Sequence, residues 1–362
     1  MKRHTLQRSF LLLLLGLATL VFVLGVIYLD PGRTQTAEPV ESAPDGIPAD
    51  EPVARVASVL SPSVVQINVS GIRQTPYGAQ KQEGMGSGVI YRSDGYIITN
   101  NHVVEGSRDV EVAFADGATE RGQVVGTDPT TDIAVVKVDH DGLPSASFAS
   151  RDPIVGQTAV AVGSPSGFES TVTSGIISGT GREVPAEYTG GTQATSLVDL
   201  VQTDAAISPG NSGGALADRE GRVIGISVAY LPPAETGAEN IGFVIPSATA
   251  ISVADQLIEN GEAVHPYLGV YLSDLTQETA SKFGSPVDSG ALVEKVEPDG
   301  PADAAGIQRG DVVTAAGSEE VRSSGDLLSA LRKYMPGDTI GLKIFRNDEK
   351  TTLQVNLAKR PQ

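Results

Sequence analysis

The sequence predicts a mainly β protein, with antiparallel sheets closed into barrels or stacked as a sandwich, followed by a smaller α+β domain. Three observations carry that reading. Short β-branched and aliphatic runs recur at Val64–Val69, Gly88–Tyr91, Val110–Phe114, Ile133–Val138, Thr158–Val162, Ile176–Ser178, Val223–Val228 and Ile241–Ile245. Gly, Asp, Pro and Ser turns separate them, and no long helices alternate with them, which disfavours a doubly wound α/β sheet. Helical spacing in Ala250, Val253, Ala254, Leu257 and Ile258 is followed by Gly261 and Pro266, placing a boundary near 260–266. The strand count suits two barrels, roughly 60–145 and 155–246.

Before the body, Phe10 to Leu29 form an uncharged apolar run of about twenty residues, the span of a bilayer core. Lys2, Arg3 and Arg8 precede it and Asp30 follows, so residues 1–9 are expected in the cytoplasm and everything past residue 30 outside. Ile27-Tyr28-Leu29-Asp30 is a poor cleavage site, which favours a retained transmembrane anchor at 10–29. Residues 30–50 are Pro-, Ala-, Glu- and Thr-rich without apolar periodicity and read as a flexible tether. A short helical pattern at Val53, Val56, Val59 and Leu60 then leads into a first domain at 51–260 and a second at 261–362.

The formal charge of −18 argues against a nucleic-acid partner, whose phosphates would be repelled. The absence of cysteine excludes disulfides, thiol catalysis and thiolate metal sites. Four histidines are present: His4, His102, His140 and His265. His140 between Asp139 and Asp141 reads as a solvated turn rather than a metal site, and no cofactor is implied.

Gly210-Asn211-Ser212-Gly213-Gly214 places a serine where flanking glycines free the backbone to aim N–H groups at one point. Such a serine becomes a nucleophile only with a base and an oxyanion cradle. His102 follows the strand-like Tyr96-Ile97-Ile98-Thr99, and Asp132 stands at the mouth of Ile133-Ala134-Val135-Val136. The order His, Asp, Ser over two β-rich halves matches a base, its orienting carboxylate and the nucleophile. The rival nucleophile elbow needs Ser, acid, His; only His265 follows Ser212, beside Pro266 in a linker.

Thr99-Asn100-Asn101-His102-Val103-Val104, Thr131-Asp132-Ile133-Ala134-Val135 and Gly210-Asn211-Ser212-Gly213-Gly214-Ala215-Leu216 resemble the signatures of HtrA/Deg serine proteases. The resemblance covers essentially everything after residue 51. It implies a chymotrypsin-like double β-barrel followed by a PDZ domain, catalytic roles for His102, Asp132 and Ser212, an oxyanion hole at Gly210, Asn211 and Ser212, and extracytoplasmic protein quality control by homotrimers or their multiples. Family members often read Asn where Ser208 stands and Pro where Ala215 stands.

By the same analogy Ala206, six residues before the nucleophile, is the S1 floor, beside Ile207; an apolar floor favours aliphatic side chains. Asp204 stands two residues too early for that place. Ile226, Ser227 and Val228 are expected in the strand that pairs with an extended substrate. Neutral Asn211 replaces the Asp of zymogens, so cutting an N-terminus is not the switch. Loops 183–198 and 230–240 are the expected controls, with Arg182 at the base of the first. Tyr267-Leu268-Gly269-Val270 resembles a PDZ carboxylate-binding loop, implying capture of peptide C-termini. Of Leu327, Leu328 and Leu331 on the next helical segment, one is expected to line the groove. Together these readings imply a membrane-anchored, ATP-independent serine endopeptidase acting on unfolded or damaged exported proteins.

Overall fold

The computed structural model describes residues 47–48, 50–75, 78–164, 171–185, 196–208, 210–230, 240–283, 287–347 and 349–360. The expected anchor at 10–29, and the tether apart from 47, 48 and 50, lie outside them. Among the described residues no helix is long and apolar enough to cross a membrane.

After α1 (Pro52–Leu60), the first closed barrel has the order β1-β2-β3-β6-β5-β4. Its strands are β1 (Val64–Thr75), β2 (Gly78–Arg92), β3 (Tyr96–Asn100), β4 (Asp109–Ala113), β5 (Thr119–Asp128) and β6 (Ile133–Lys137), with a one-turn α2 (Asn101–Val104) after β3. The second closed barrel, β10-β11-β12-β9-β8-β7, comprises β7 (Thr158–Gly163), β8 (Thr171–Val184), β9 (Leu197–Thr203), β10 (Ala215–Ala217), β11 (Val223–Tyr230) and β12 (Gly242–Pro246). Barrels, not a sandwich, are the solution this chain adopts.

The period-2 side-chain alternation of a strand explains why several runs are apolar at every position. In β6, Ala134 and Val136 point into the first barrel's core with Ile67, Ile90, Ile97 and Val112. Ile133 and Val135 point the other way, into a cluster that also holds Val160, Ile226 and Ile245 of the second barrel. Both faces of β6 are therefore dry. Helix α3 (Ser247–Asn260) closes that shared cluster with Ala250, Val253, Ala254 and Leu257, and Gly261 ends it in a left-handed cap.

A third module follows. β13 (Pro266–Tyr267) pairs with β20 (Ala358–Lys359), and a larger sheet runs β14-β15-β16-β18-β19. Its members are β14 (Val270–Asp274), β15 (Ala291–Val296), β16 (Val312–Ala316), β18 (Thr339–Arg346) and β19 (Glu349–Asn356), with β17 (Glu319–Glu320) on β16. Helices α4 (Gln277–Phe283), α5 (Pro301–Ala304) and α6 (Ser324–Leu331) accompany it. A capping box starts α6: Ser323 and Asp326 each bind the other's backbone N–H.

Candidate active site

The β5–β6 turn delivers Asp132 to the end of β3. Asp132 has φ 61 and is fully buried, a conformation that Asp tolerates better than most residues. Its carbonyl accepts the Asn101 N–H and the Asn100 side-chain amide, both at 3.0 Å. Its Oδ1 accepts the His102 N–H at 3.0 Å, and Oδ2 lies 2.7 Å from His102 Nδ1. A carboxylate at that distance favours the tautomer with the proton on Nδ1, which leaves Nε2 free to accept one. Burial pushes the Asp132 carboxyl up from its ordinary value, while the His102 ring and N–H oppose that push.

Ser212 comes from the other barrel. Its carbonyl accepts the Ser87 N–H of β2 at 2.8 Å, and a Cβ on Gly86 would lie 2.7 Å from Val103 Cγ2 and 3.2 Å from Ser212 O. The nucleophile loop and the residue after His102 therefore meet at one point on β2. Among the described residues no hydrogen bond joins Ser212 Oγ to His102, a bond that in such sites often tightens only with substrate. Gly213 has φ +83, and a Cβ there would collide with Ser87 O and Thr99 Oγ1.

The three expected oxyanion donors separate. The Asn211 N–H donates to Ser208 O at 2.9 Å and is spent; the Gly210 and Ser212 N–H groups have no backbone acceptor among the described residues. The Asn211 side chain is buried against Gly163.

The three residues expected in the substrate strand differ in what their backbone groups do. Ile226 pairs with Ala215 on one side and Ile245 on the other, so it lies inside the barrel wall. Ser227 spends both backbone groups on the nucleophile loop, accepting from Gly213 N and donating to Gly214 O at 2.8 Å. Beyond Ser227 no partner pairs with β11 on that side among the described residues, while the Val228 side chain is buried in the core. Ala206 is half-buried, its carbonyl held by Thr173 Oγ1 at 2.9 Å. Ile207 packs into the second barrel's core with Ala205, Val201 and Val244. Asp204 caps the Ile176 N–H at 2.6 Å.

Residues 86–226 match the trypsin-like peptidase domain and residues 266–357 the PDZ domain. The HtrA-type protease AlgW, solved with a decapeptide, is 34% identical, with TM-score 0.67, over 86% of this chain and 99% of that one. The chain belongs to the family of HtrA-type proteases. A probable periplasmic DegP-like serine endoprotease of Halomonas elongata is 40% identical over 291 residues, 79% of this chain and 60% of its own length. The Do-like serine protease HtrB of Bacillus subtilis is 38% identical over 76% of this chain and 62% of its own. The chain thus spans about three fifths of the curated relatives it matches.

In the PDZ domain, Tyr267 lies in β13, and the Leu268 and Gly269 carbonyls accept Ala302 N–H and Glu297 N–H, each at 2.9 Å. Those bonds turn the loop's carbonyls inward, and Gly269 supplies the φ of +81 that the turn requires. Val270 and Leu272 of β14 are partly buried beside the core. Leu327 and Leu331 are core, and Leu328 is half-buried, packed against the same core.

Helix α6 also touches the protease. Ser329 Oγ donates to Asp199 Oδ1 of β9 at 2.7 Å, and Arg332 lies 3.9 Å from Asp199. His265 Nε2 lies 2.9 Å from Asp128 Oδ2 of β5. A cleft of about 500 Å³ runs between the domains, lined by Thr180, Gly181, Asp199, Ser252, Ser329 and Arg332 among others. Arg182 is exposed on β8, paired with Leu200 and folded over Gly179. Loop residues 186–195 and 231–239, expected to control the site, lie outside the described residues.

Proposed function

We propose that this protein is a serine endopeptidase of the extracytoplasmic space that cleaves unfolded or damaged proteins without ATP. The observation that carries the reading is the His102–Asp132 pair of one barrel, set against the Gly210–Gly214 loop of the other. Ser212 Oγ attacks the peptide carbonyl and yields its proton to His102 Nε2. The carbonyl oxygen becomes an oxyanion received by the Gly210 and Ser212 N–H groups, while Asp132 stabilises the imidazolium. That proton then passes to the leaving amine, and water releases the acyl group by the same route. Ala206, Ile207 and Val228 favour an aliphatic residue at the cut. The periplasmic names of the relatives support an exported body; the apolar 10–29 segment would anchor it, and a homotrimer or a multiple of one is the assembly we propose.

Peptide C-termini captured at Tyr267, Leu268, Gly269 and Val270 control this site. Support comes from α6, which borders the groove and also binds β9, and from AlgW, solved with tripeptide and decapeptide. Arg182, on the strand leading into the 186–195 loop, helps hold the active arrangement. The test is cleavage of casein by the full chain, with and without peptides ending in different residues. Cleavage that disappears in Ser212→Ala supports the reading; equal cleavage by that variant, or none by wild type, overturns it. Failure of every peptide to bind or to change the rate removes the PDZ control.

A further inference from the structure

We infer that Ser87 of β2 is a positioning residue for the oxyanion hole, tying it across the seam between the barrels; this rests on the peptidase reading. Ser87 is fully buried, and it spends its N–H and its hydroxyl across the seam. Its N–H donates to Ser212 O at 2.8 Å, and its hydroxyl donates to Gly210 O at 2.6 Å. The same hydroxyl accepts Ser164 N–H at 2.8 Å, and the Ser87 carbonyl accepts Thr99 Oγ1 at 2.7 Å.

The covalent order of the loop gives these bonds their consequence. The Gly210 carbonyl belongs to the peptide plane joining Gly210 to Asn211, and the Ser212 carbonyl to the plane joining Ser212 to Gly213. The Ser212 N–H, an oxyanion donor, sits on the plane between them. Ser87 therefore clamps the peptide on either side of the donor. The Asn211 N–H to Ser208 O bond fixes the first of those planes a second time. A preorganised donor is worth far more than one that must reorient during reaction. Ser87 touches neither substrate nor the reacting atoms and acts through the loop alone.

The experiment compares wild type, Ser87→Ala and Ser87→Cys as full chains on a fluorogenic peptide, with a peptide aldehyde as inhibitor. The aldehyde forms a tetrahedral adduct on Ser212 and so reads the oxyanion hole directly. The expected result for Ser87→Ala is a kcat lower by about 10–100-fold, with KM within about threefold. Aldehyde affinity falls by a similar factor, and the pH–rate profile keeps its shape because the His102–Asp132 pair is untouched. Ser87→Cys, a weak donor of larger volume, falls between the two. An unchanged kcat, a loss confined to KM, or a lowered kcat with undiminished aldehyde affinity overturns the assignment. If Ser87→Ala does not fold, Ser87→Cys decides by the same three readings. An inactive wild type sinks the peptidase reading instead, which separates the two failures.

Discussion

Barrel one holds His102 and Asp132 with bonds made at a single corner of its own wall, where β3, α2 and the β5–β6 turn meet. Barrel two presents Ser212 on a glycine-rich loop whose carbonyls reach across the seam to Ser87. The proposed base and its carboxylate are thus built into one folding unit, whereas the proposed nucleophile and oxyanion donors depend on how two units meet. A disturbance of the seam reaches the second half of the site before the first. Any control acting on this chain is expected to move barrel two.

The largest expected effects test whether the halves act as one. Ser212→Ala and His102→Ala should each lower kcat on a peptide by roughly 10⁶-fold, and the double variant should lose little more. Additive losses would show that the halves work separately and would break the comparison. Asp132→Asn should lower kcat by about 10⁴-fold, because the amide presents a donor to His102 Nδ1 and enforces the wrong tautomer. Its stability should move the other way. Burial raises the Asp132 carboxyl, so the native state holds that proton to higher pH than the unfolded chain. Ionised Asp132 therefore costs native stability above about pH 3.9, increasingly up to its native value. Thermal melts should find Asp132→Asn equal to or above wild type at neutral pH, and closer to wild type below about pH 4. A melting point far below wild type at neutral pH would show that the buried charge stabilises the corner instead.

Much of the corner was readable in advance, and much of the seam was not. His102, Asp132 and Ser212 stand in compact motifs whose order and setting carry the chemistry. Strand β6 was visible because both of its faces are dry. β5 is not legible in the sequence because Glu120, Arg121, Gly122 and Gly126 break its alternation. β9 was hidden in its first residues by the apparent loop at 183–198, and Asp199 interrupts its apolar run at φ 60 for a contact with a distant helix. Ser87 was invisible for the same reason. Its partners Gly210 and Ser164 lie 123 and 77 residues along the chain, so no local pattern encodes them. The Asn211 N–H, bonded to Ser208 O, and the paired backbone of Ile226 and Ser227 are likewise set by contacts that the motifs do not encode. Motif spacing names residues, but only the ladder shows which N–H groups are already spent.

A smaller effect sharpens the seam. Gly213→Ala places a methyl group against Ser87 O and Thr99 Oγ1 at φ +83 and should cost about 3 kcal/mol of stability. Gly142→Ala is the control: φ is +77 but nothing lies within 4 Å, so backbone strain alone should cost about 1 kcal/mol. Urea melts of both variants measure the difference. Equal losses would mean that the seam yields to a methyl group, and the close fit of the barrels would lose its importance.

The smallest effect asks which barrel the PDZ domain addresses. Ser329→Ala removes one hydrogen bond from Asp199 on barrel two, and His265→Ala removes one from Asp128 on barrel one; each should cost about 1 kcal/mol. The two carboxylates differ in what remains. Burial alone would raise Asp128, but His265, Thr131 and the Thr130 N–H outweigh it and hold its carboxyl below the usual range. That tie contributes stability above about pH 3.9 and loses it only as pH falls through the lower native value. After His265→Ala, Asp128 still has Thr131 and Thr130. Asp199 has Ser329 as its hydrogen-bond donor, with Arg332 3.9 Å away, and burial raises its carboxyl. Loss of Ser329 should therefore loosen α6 on β9 and alter basal peptide cleavage, whereas loss of His265 should leave kcat near wild type. Hydrogen exchange across α6 and β9, read beside kcat, measures both. A larger change in kcat from His265→Ala would place control on the base side of the site.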